Sequence, residues 1–267
     1  MSEQARPPIL TIRGVTKRFA VGDDEVEALA PVDLTIPQGE FVCLIGASGC
    51  GKSTLLRIIA GFEEPTTGEV LVHGKPVTGP GSDRGMVFQD YALFPWMTVR
   101  QNISFGPRQR QLPREEIQAT TEEFLKLVGL ERFAERYPSQ LSGGMKQRVA
   151  IARVLANNAN ILLMDEPFGA LDALTREQLQ RELLYIWSRT GVTVIFVTHS
   201  VEEAVLLADR VLVMSAGPGR IDSDFNIDLA RPREVSSPEF NALRRDVARR
   251  LTSHLASSRV LEATATE

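Results

Sequence analysis

The chain has 267 residues, 43% of them hydrophobic, and a formal net charge of −4. That length allows one or two domains with a sizeable core, and the mildly acidic balance argues against non-specific nucleic-acid binding. Two cysteines, Cys43 and Cys50, suit a reducing compartment better than a structural disulfide. The opening MSEQARPPILTIRG has no apolar leader, and no apolar run approaches the ~18 residues of a membrane helix.

Apolar runs rich in β-branched residues recur from the start. ILTIRGV (9–15), EALAPVDLTI (27–36) and GEVLVHGKPV (68–77) read as antiparallel strands, the last with a His-Gly turn. EFVCLIG (40–46), GMVFQ (85–89), NILLMDEP (160–167), VTVIFVTHS (192–200) and DRVLVM (209–214) are almost continuously apolar, as strands buried on both faces are. Helical periodicity marks 51–61, 115–128, 144–157, 173–190, 201–208 and 238–256. Strands alternating with helices predict an α/β fold with a mainly parallel sheet and an N-terminal antiparallel β subdomain. From about 92 to 157 no strand is evident, so this stretch reads as an inserted α-helical subdomain. The segment 231–267 is net basic as far as Arg259. There Phe240, Leu243, Val247, Leu251 and Leu255 make one narrow helical stripe, which reads as a helix docked on the protein's own core.

GASGCGKST (46–54) fits GxxxxGK[ST] between a strand and a helix. Its backbone, from Gly46 through Ala47, Ser48, Gly49, Cys50 and Gly51 to Thr54, can curl so that several N–H groups face one phosphate. Lys52 brings a cation to the β- and γ-phosphates, and Ser53 offers a hydroxyl to Mg²⁺. Cys50, at a helix start beside Lys52, is expected to be reactive and to be protected by ATP. In NILLMDEP, Asp165 leaves a buried strand at its C-terminal end and can hold Mg²⁺ directly or through water. The adjacent Glu166 is the candidate base for an attacking water. His199, also at a strand end, is read as sensing or orienting the γ-phosphate. Gln89 can offer its amide oxygen to Mg²⁺ or the water. DYALFPWMTV, which follows Gln89, supplies either the core of the helical insertion or a docking surface for a partner. LSGGMKQR (141–148) places Ser142, Gly143 and Gly144 at a second helix start, where anions are attracted.

With these motifs in order, residues 8–230 resemble an ATP-binding subunit of an ABC transporter. The correspondence takes in the P-loop, the Q-loop residue Gln89, the signature LSGGMKQR, the Walker B run ILLMDEP, the D-loop GALD (169–172) with Asp172, and the switch residue His199. Phe19 stands where the family stacks an aromatic ring, usually Tyr, on adenine. Met145 stands where the family more often has Gln. The resemblance implies an ATPase using ATP and Mg²⁺ and a head-to-tail dimer with a second copy of itself. In that dimer Ser142 and the signature glycines of one subunit cap the nucleotide held by the P-loop of the other. It further implies separate transmembrane permease subunits, indirectly a solute-binding protein, and a peripheral place on the cytoplasmic face of the inner or plasma membrane.

ALFPWMTV and MSAGPGRI (214–221) are similar to segments of the nitrate/sulfonate/taurine importer group. The rival reading is a soluble non-transport ABC ATPase acting on nucleic acid or the ribosome. Repair enzymes of that kind insert long coiled coils that the roughly fifty residues between Gln89 and Leu141 cannot hold, and ribosomal ones usually carry two cassettes. A plain P-loop kinase would have no use for LSGG before a helix.

Overall fold

The computed structural model describes residues 7–22, 24–169 and 171–264. Ala170 of GALD, the last three residues of the C-terminal segment and the side chain of Leu255 lie outside the described residues. Among the described residues no helix is long and apolar enough to cross a membrane. The chain divides into two compact units, one formed by 1–80 with 195–267 and the other by 81–194.

The first unit holds a four-stranded antiparallel sheet in the order β2-β1-β4-β5. Its strands are β1 (Pro8–Val21), β2 (Asp24–Pro37), β4 (Thr67–Val72) and β5 (Lys75–Pro76). His73 and Gly74, both at positive φ, make the turn between β4 and β5. β1 and β2 run past the expected 9–15 and 27–36 into a hairpin that pairs Phe19 with Val26 and Val21 with Asp24. Both faces of that tip are exposed, so the apolar alternation that marks a half-buried strand is missing there.

The same unit contains β3 (Phe41–Gly46), β9 (Arg210–Ser215), β10 (Arg220–Asn226) and most of β8 (Thr193–Val197), ordered β10-β9-β3-β8. β3 and β9 are parallel, and β10 returns antiparallel along β9. Every residue of β3 and β8 is buried, which explains their unbroken apolar character. Helix α1 (Lys52–Ala60) follows β3, α6 (Val201–Leu207) follows β8, and α7 (Pro238–Thr264) closes the chain.

The turn into α7 is tied to α6 by two arginines. Arg233 donates to the carbonyls of Val205 (2.7 Å) and Ala208 (2.6 Å) at the C-terminal end of α6, and to that of Leu229 (3.0 Å). Arg231 pairs with Asp209 at 2.5 Å, whose other oxygen accepts from the Phe41 amide. The orphan carbonyls of a helix end and its partial negative charge suit a guanidinium. On α7 itself, Phe240 and Val247 are wholly buried, each worth about 2 kcal/mol of apolar burial.

The second unit contains parallel β6 (Arg84–Val87) and β7 (Ile161–Asp165). Between them in sequence come α2 (Val99–Gln109), α3 (Arg114–Leu127), two short 3-10 turns and α4 (Gly143–Ala156), and after them α5 (Ala173–Thr190). Thr98 starts α2 with a reciprocal capping box to Gln101.

Candidate nucleotide-binding site

In the first unit the loop between β3 and α1 has the backbone of a phosphate cradle. Gly49 and Gly51 sit at φ +78° and +87°, a left-handed conformation that side chains resist. Gly51 stands at the N-cap of α1, and no side chain caps that helix start, where backbone amides and the helix dipole attract anions. The Lys52 ammonium is buried and donates to the Gly46 and Ala47 carbonyls, each at 2.9 Å. Ser48 and Gly49 form the exposed tip, with Ala47 partly covered beneath it.

Cys50 departs from expectation. Its side chain is wholly buried, with Sγ 3.6 Å from Lys52 Nζ. A reactive thiol needs exposure as well as a favourable charge, so the expected reactivity of the folded chain is corrected to an inert, packed cysteine.

Phe19 lies on the exposed β1–β2 tip, its ring centroid 4.9 Å from Lys17 Nζ. His199 is exposed just beyond β8, and the next residue, Ser200, caps α6 by accepting from the Glu203 amide at 3.2 Å. The Thr198 amide donates to Leu44 in β3, which holds the start of this turn beside the strand that leads to the cradle.

In the second unit several predicted residues come together. Asp165 ends β7 and Glu166 follows at φ +46°, an uncommon conformation for a residue with a side chain. The Glu166 carbonyl accepts from the Gly169 amide at 3.1 Å. A Cβ on Gly169 would lie 3.6 Å from Gln89 Nε2 and 3.8 Å from Glu166 Oε2, so the Gln89 amide and the Glu166 carboxylate both face the start of GALD. Asp172 then caps α5, accepting from the Thr175 amide at 3.0 Å; that donor holds its carboxyl below the ordinary value.

The second helix start belongs to the same group. Ser142 is exposed and caps α4 by accepting from the Met145 amide at 3.3 Å. A Cβ on Gly143 would lie 3.1 Å from the Tyr91 hydroxyl and 3.3 Å from Leu171, and one on Gly144 would touch Thr175 and Leu179. Gly143 therefore lets α4 begin close against Leu171, whereas the contacts at Gly144 are of ordinary van der Waals length.

Sequence reasoning missed Tyr91 and Arg153. Tyr91 and Ala92 both take positive φ, and Arg153 on α4 donates to the carbonyls of both, at 3.4 and 2.7 Å. The guanidinium also lies 5.3 Å from the Phe94 ring centroid. This ties the segment after Gln89 to the signature helix. No local pattern announces it, because the partners lie about sixty residues apart.

Residues 29–169, about half the chain, match the family model described as ABC transporter. The chain belongs to the ABC transporter family. It is an ABC-type ATPase with a P-loop α/β fold, and its nucleotide is ATP. It is 50% identical to the nitrate import ATP-binding protein NrtD of Synechocystis, the match covering 89% of each chain. It is 48% identical to the taurine import ATP-binding protein TauB of Roseobacter denitrificans, covering 89% of this chain and 92% of that one. A solved dimeric post-hydrolysis ATP-binding cassette, MJ0796 with ADP and Pi, superposes with a TM-score of 0.71 at 36% identity, over 83% of this chain and all of that one. The ABC ATPase built from these motifs thus has relatives named for import.

Proposed function

We propose that this ABC ATPase powers import of a small solute of the nitrate, sulfonate or taurine kind, working as a head-to-tail dimer beneath separate permease subunits. It would sit peripherally on the cytoplasmic face of the membrane and be served indirectly by a solute-binding protein. Support for the solute class comes from the names of the relatives, NrtD and TauB, and support for the dimer from the dimeric cassette.

The observation that carries the dimer is the pair of phosphate-suited helix starts in one chain. At α1 no side chain caps the helix start and Lys52 is held at the loop; at α4 an exposed Ser142 leads two glycines. One chain binding one ATP needs only the first. The second serves the partner's nucleotide, with Ser142 and the amides of Gly143 and Gly144 on its γ-phosphate.

The remaining roles are those that the family resemblance implies and that the chemistry of each residue suits. Phe19 stacks on adenine; Gly46, Ala47, Ser48, Gly49, Cys50, Gly51 and Thr54 line the cradle with backbone groups. Ser53, Gln89 and Asp165 are hard oxygen donors, few in number, and so suit Mg²⁺, which keeps most of its own water. Held by these residues, Mg²⁺ would neutralise phosphate charge. Glu166 takes the proton of the attacking water, His199 orients the γ-phosphate, and Asp172 lines the partner's side. ATP offers more charged contacts across the dimer than its products do, so binding closes the dimer and hydrolysis opens it. Arg153 carries that movement from the Gln89 segment into α4. Trp96, 69% exposed with its ring tilted against Phe94, offers the permease an apolar surface.

Mixed dimers test the trans arrangement. A Lys52→Ala subunit is paired with a Ser142→Arg subunit, each with its own affinity tag. Either parent dimer should retain almost no ATP, whereas the purified mixed dimer has one intact composite site and should retain about half the wild-type amount. Mixed dimers no better than their parents would remove the trans role of Ser142.

A further inference from the structure

The β9–β10 hairpin brackets the phosphate loop from both ends. At the entry, a Cβ on Gly46 would lie 2.6 Å from the Met214 carbonyl oxygen. At the exit, a Cβ on Gly219 would lie 2.2 Å from the Cys50 carbonyl oxygen, 3.0 Å from its carbonyl carbon and 2.9 Å from the Ala28 carbonyl oxygen. These are backbone atoms, which cannot swing aside as the end of a long side chain can. Nor can Gly219 retreat easily. Its amide donates to the Ala28 carbonyl at 3.1 Å, and its carbonyl accepts from the Ala30 amide at 2.9 Å. The same stretch of β2 bears on the next loop residue, because a Cβ on Gly51 would lie 2.5 Å from a Leu29 methyl group.

We propose that Gly219 is a positioning residue for the phosphate loop, its bare α-carbon setting how far the Cys50 carbonyl can settle and thereby the aim of the amides that follow. Any side chain at 219 must push the loop at Cys50 or break the two hydrogen bonds to β2. Either change tilts the start of α1, and cradle geometry is sensitive to displacements of about 1 Å. The proposal rests on the reading of 46–54 as the ATP cradle.

The buried cysteines provide a built-in gauge. Cys50 is part of the loop, whereas Cys43 lies in the middle of β3; both are wholly buried. Wild type, Gly219→Ala, Gly79→Ala and Lys52→Met are compared by maleimide labelling with peptide mapping, thermal melting, and titration with a fluorescent ATP analogue and Mg²⁺. Gly79, in the loop after β5, is the glycine control: a Cβ there meets nothing within 4 Å, and its φ lies outside the left-handed region. Gly219→Ala should expose Cys50 to labelling while Cys43 stays protected, and should weaken nucleotide binding by about tenfold or more. Gly79→Ala should keep both thiols protected and bind as wild type does.

Cys50 protected in Gly219→Ala, with wild-type affinity, overturns the role of Gly219. So does an equal loss of affinity in both glycine variants with Cys50 still protected. A wild type no better than Lys52→Met at binding would instead remove the cradle reading, while the labelling, done without nucleotide, still decides the geometry. If Gly219→Ala labels at both cysteines and melts without a transition, hydrogen exchange on the wild type decides. ATP with Mg²⁺ should slow exchange at the Gly219 and Ala30 amides, and unchanged rates there overturn the proposal.

Discussion

The Lys52 ammonium donates to the Gly46 carbonyl at 2.9 Å, so the cation of the phosphate loop is positioned by the loop's own backbone. The buried charge thereby gains partners that hold it at the cradle. Lys52→Met keeps most of the aliphatic stem and removes the charge. It should weaken ATP binding by about a hundredfold, given the strength of charge-assisted contacts to phosphate. Circular dichroism should remain that of wild type. Titration with a fluorescent ATP analogue checks this, and unaltered affinity would deny Lys52 its role.

Glu166→Gln separates binding from turnover. The substitution preserves size and leaves the Glu166 carbonyl free to accept from Gly169. ATP should bind as in wild type, while phosphate release slows by about a hundredfold or more. Size-exclusion chromatography with ATP and Mg²⁺ should then show an accumulated dimer. Wild-type phosphate release would exclude Glu166 as the base.

Asp172 gives the stability a pH dependence. Its carboxyl is held below the ordinary 3.8 by the Thr175 amide, so the folded chain binds that proton less readily than the unfolded one. The stabilisation is present above about pH 4 and is lost as pH falls through the lowered folded value. Asp172→Ala should therefore lower the urea midpoint at neutral pH, and the gap from wild type should narrow on acidification. A gap independent of pH would show that the charge of the cap is irrelevant.

Arg233→Ala removes a guanidinium that ties the Val205, Ala208 and Leu229 carbonyls together. The loss should be about 2 kcal/mol, a fall of about 4–8 °C in melting temperature for a chain of this size. Lysine should recover only part of it, having no planar fork to spread over several acceptors. Full recovery by lysine would show that charge alone suffices.

The sequence announced what depends on neighbours along the chain. The cradle 46–54 needs glycines, a lysine and a flanking strand and helix, and all are contiguous; LSGG before α4 and Asp165 at the end of β7 are equally local. The contacts of Gly219 with Cys50 and of Arg153 with Tyr91 and Ala92 join positions far apart, and nothing in AGPGR or in the α4 stripe says what each will meet. Cys50 shows the converse failure. Its local setting suggests a reactive thiol, but burial is decided by strands elsewhere.

The two arginines that lead into α7 bear on where this chain can be cut. The recognisable stretches end with MSAGPGRI at 221, and a shortened version stopping at 230 would keep every one of them. Such a version would lose Arg231 and Arg233, strip the carbonyls at the end of α6 of their donors, and uncover the floor on which Phe240 and Val247 rest. Its flaw would surface as poor yield and a sticky flank, with the ATP cradle itself intact in sequence.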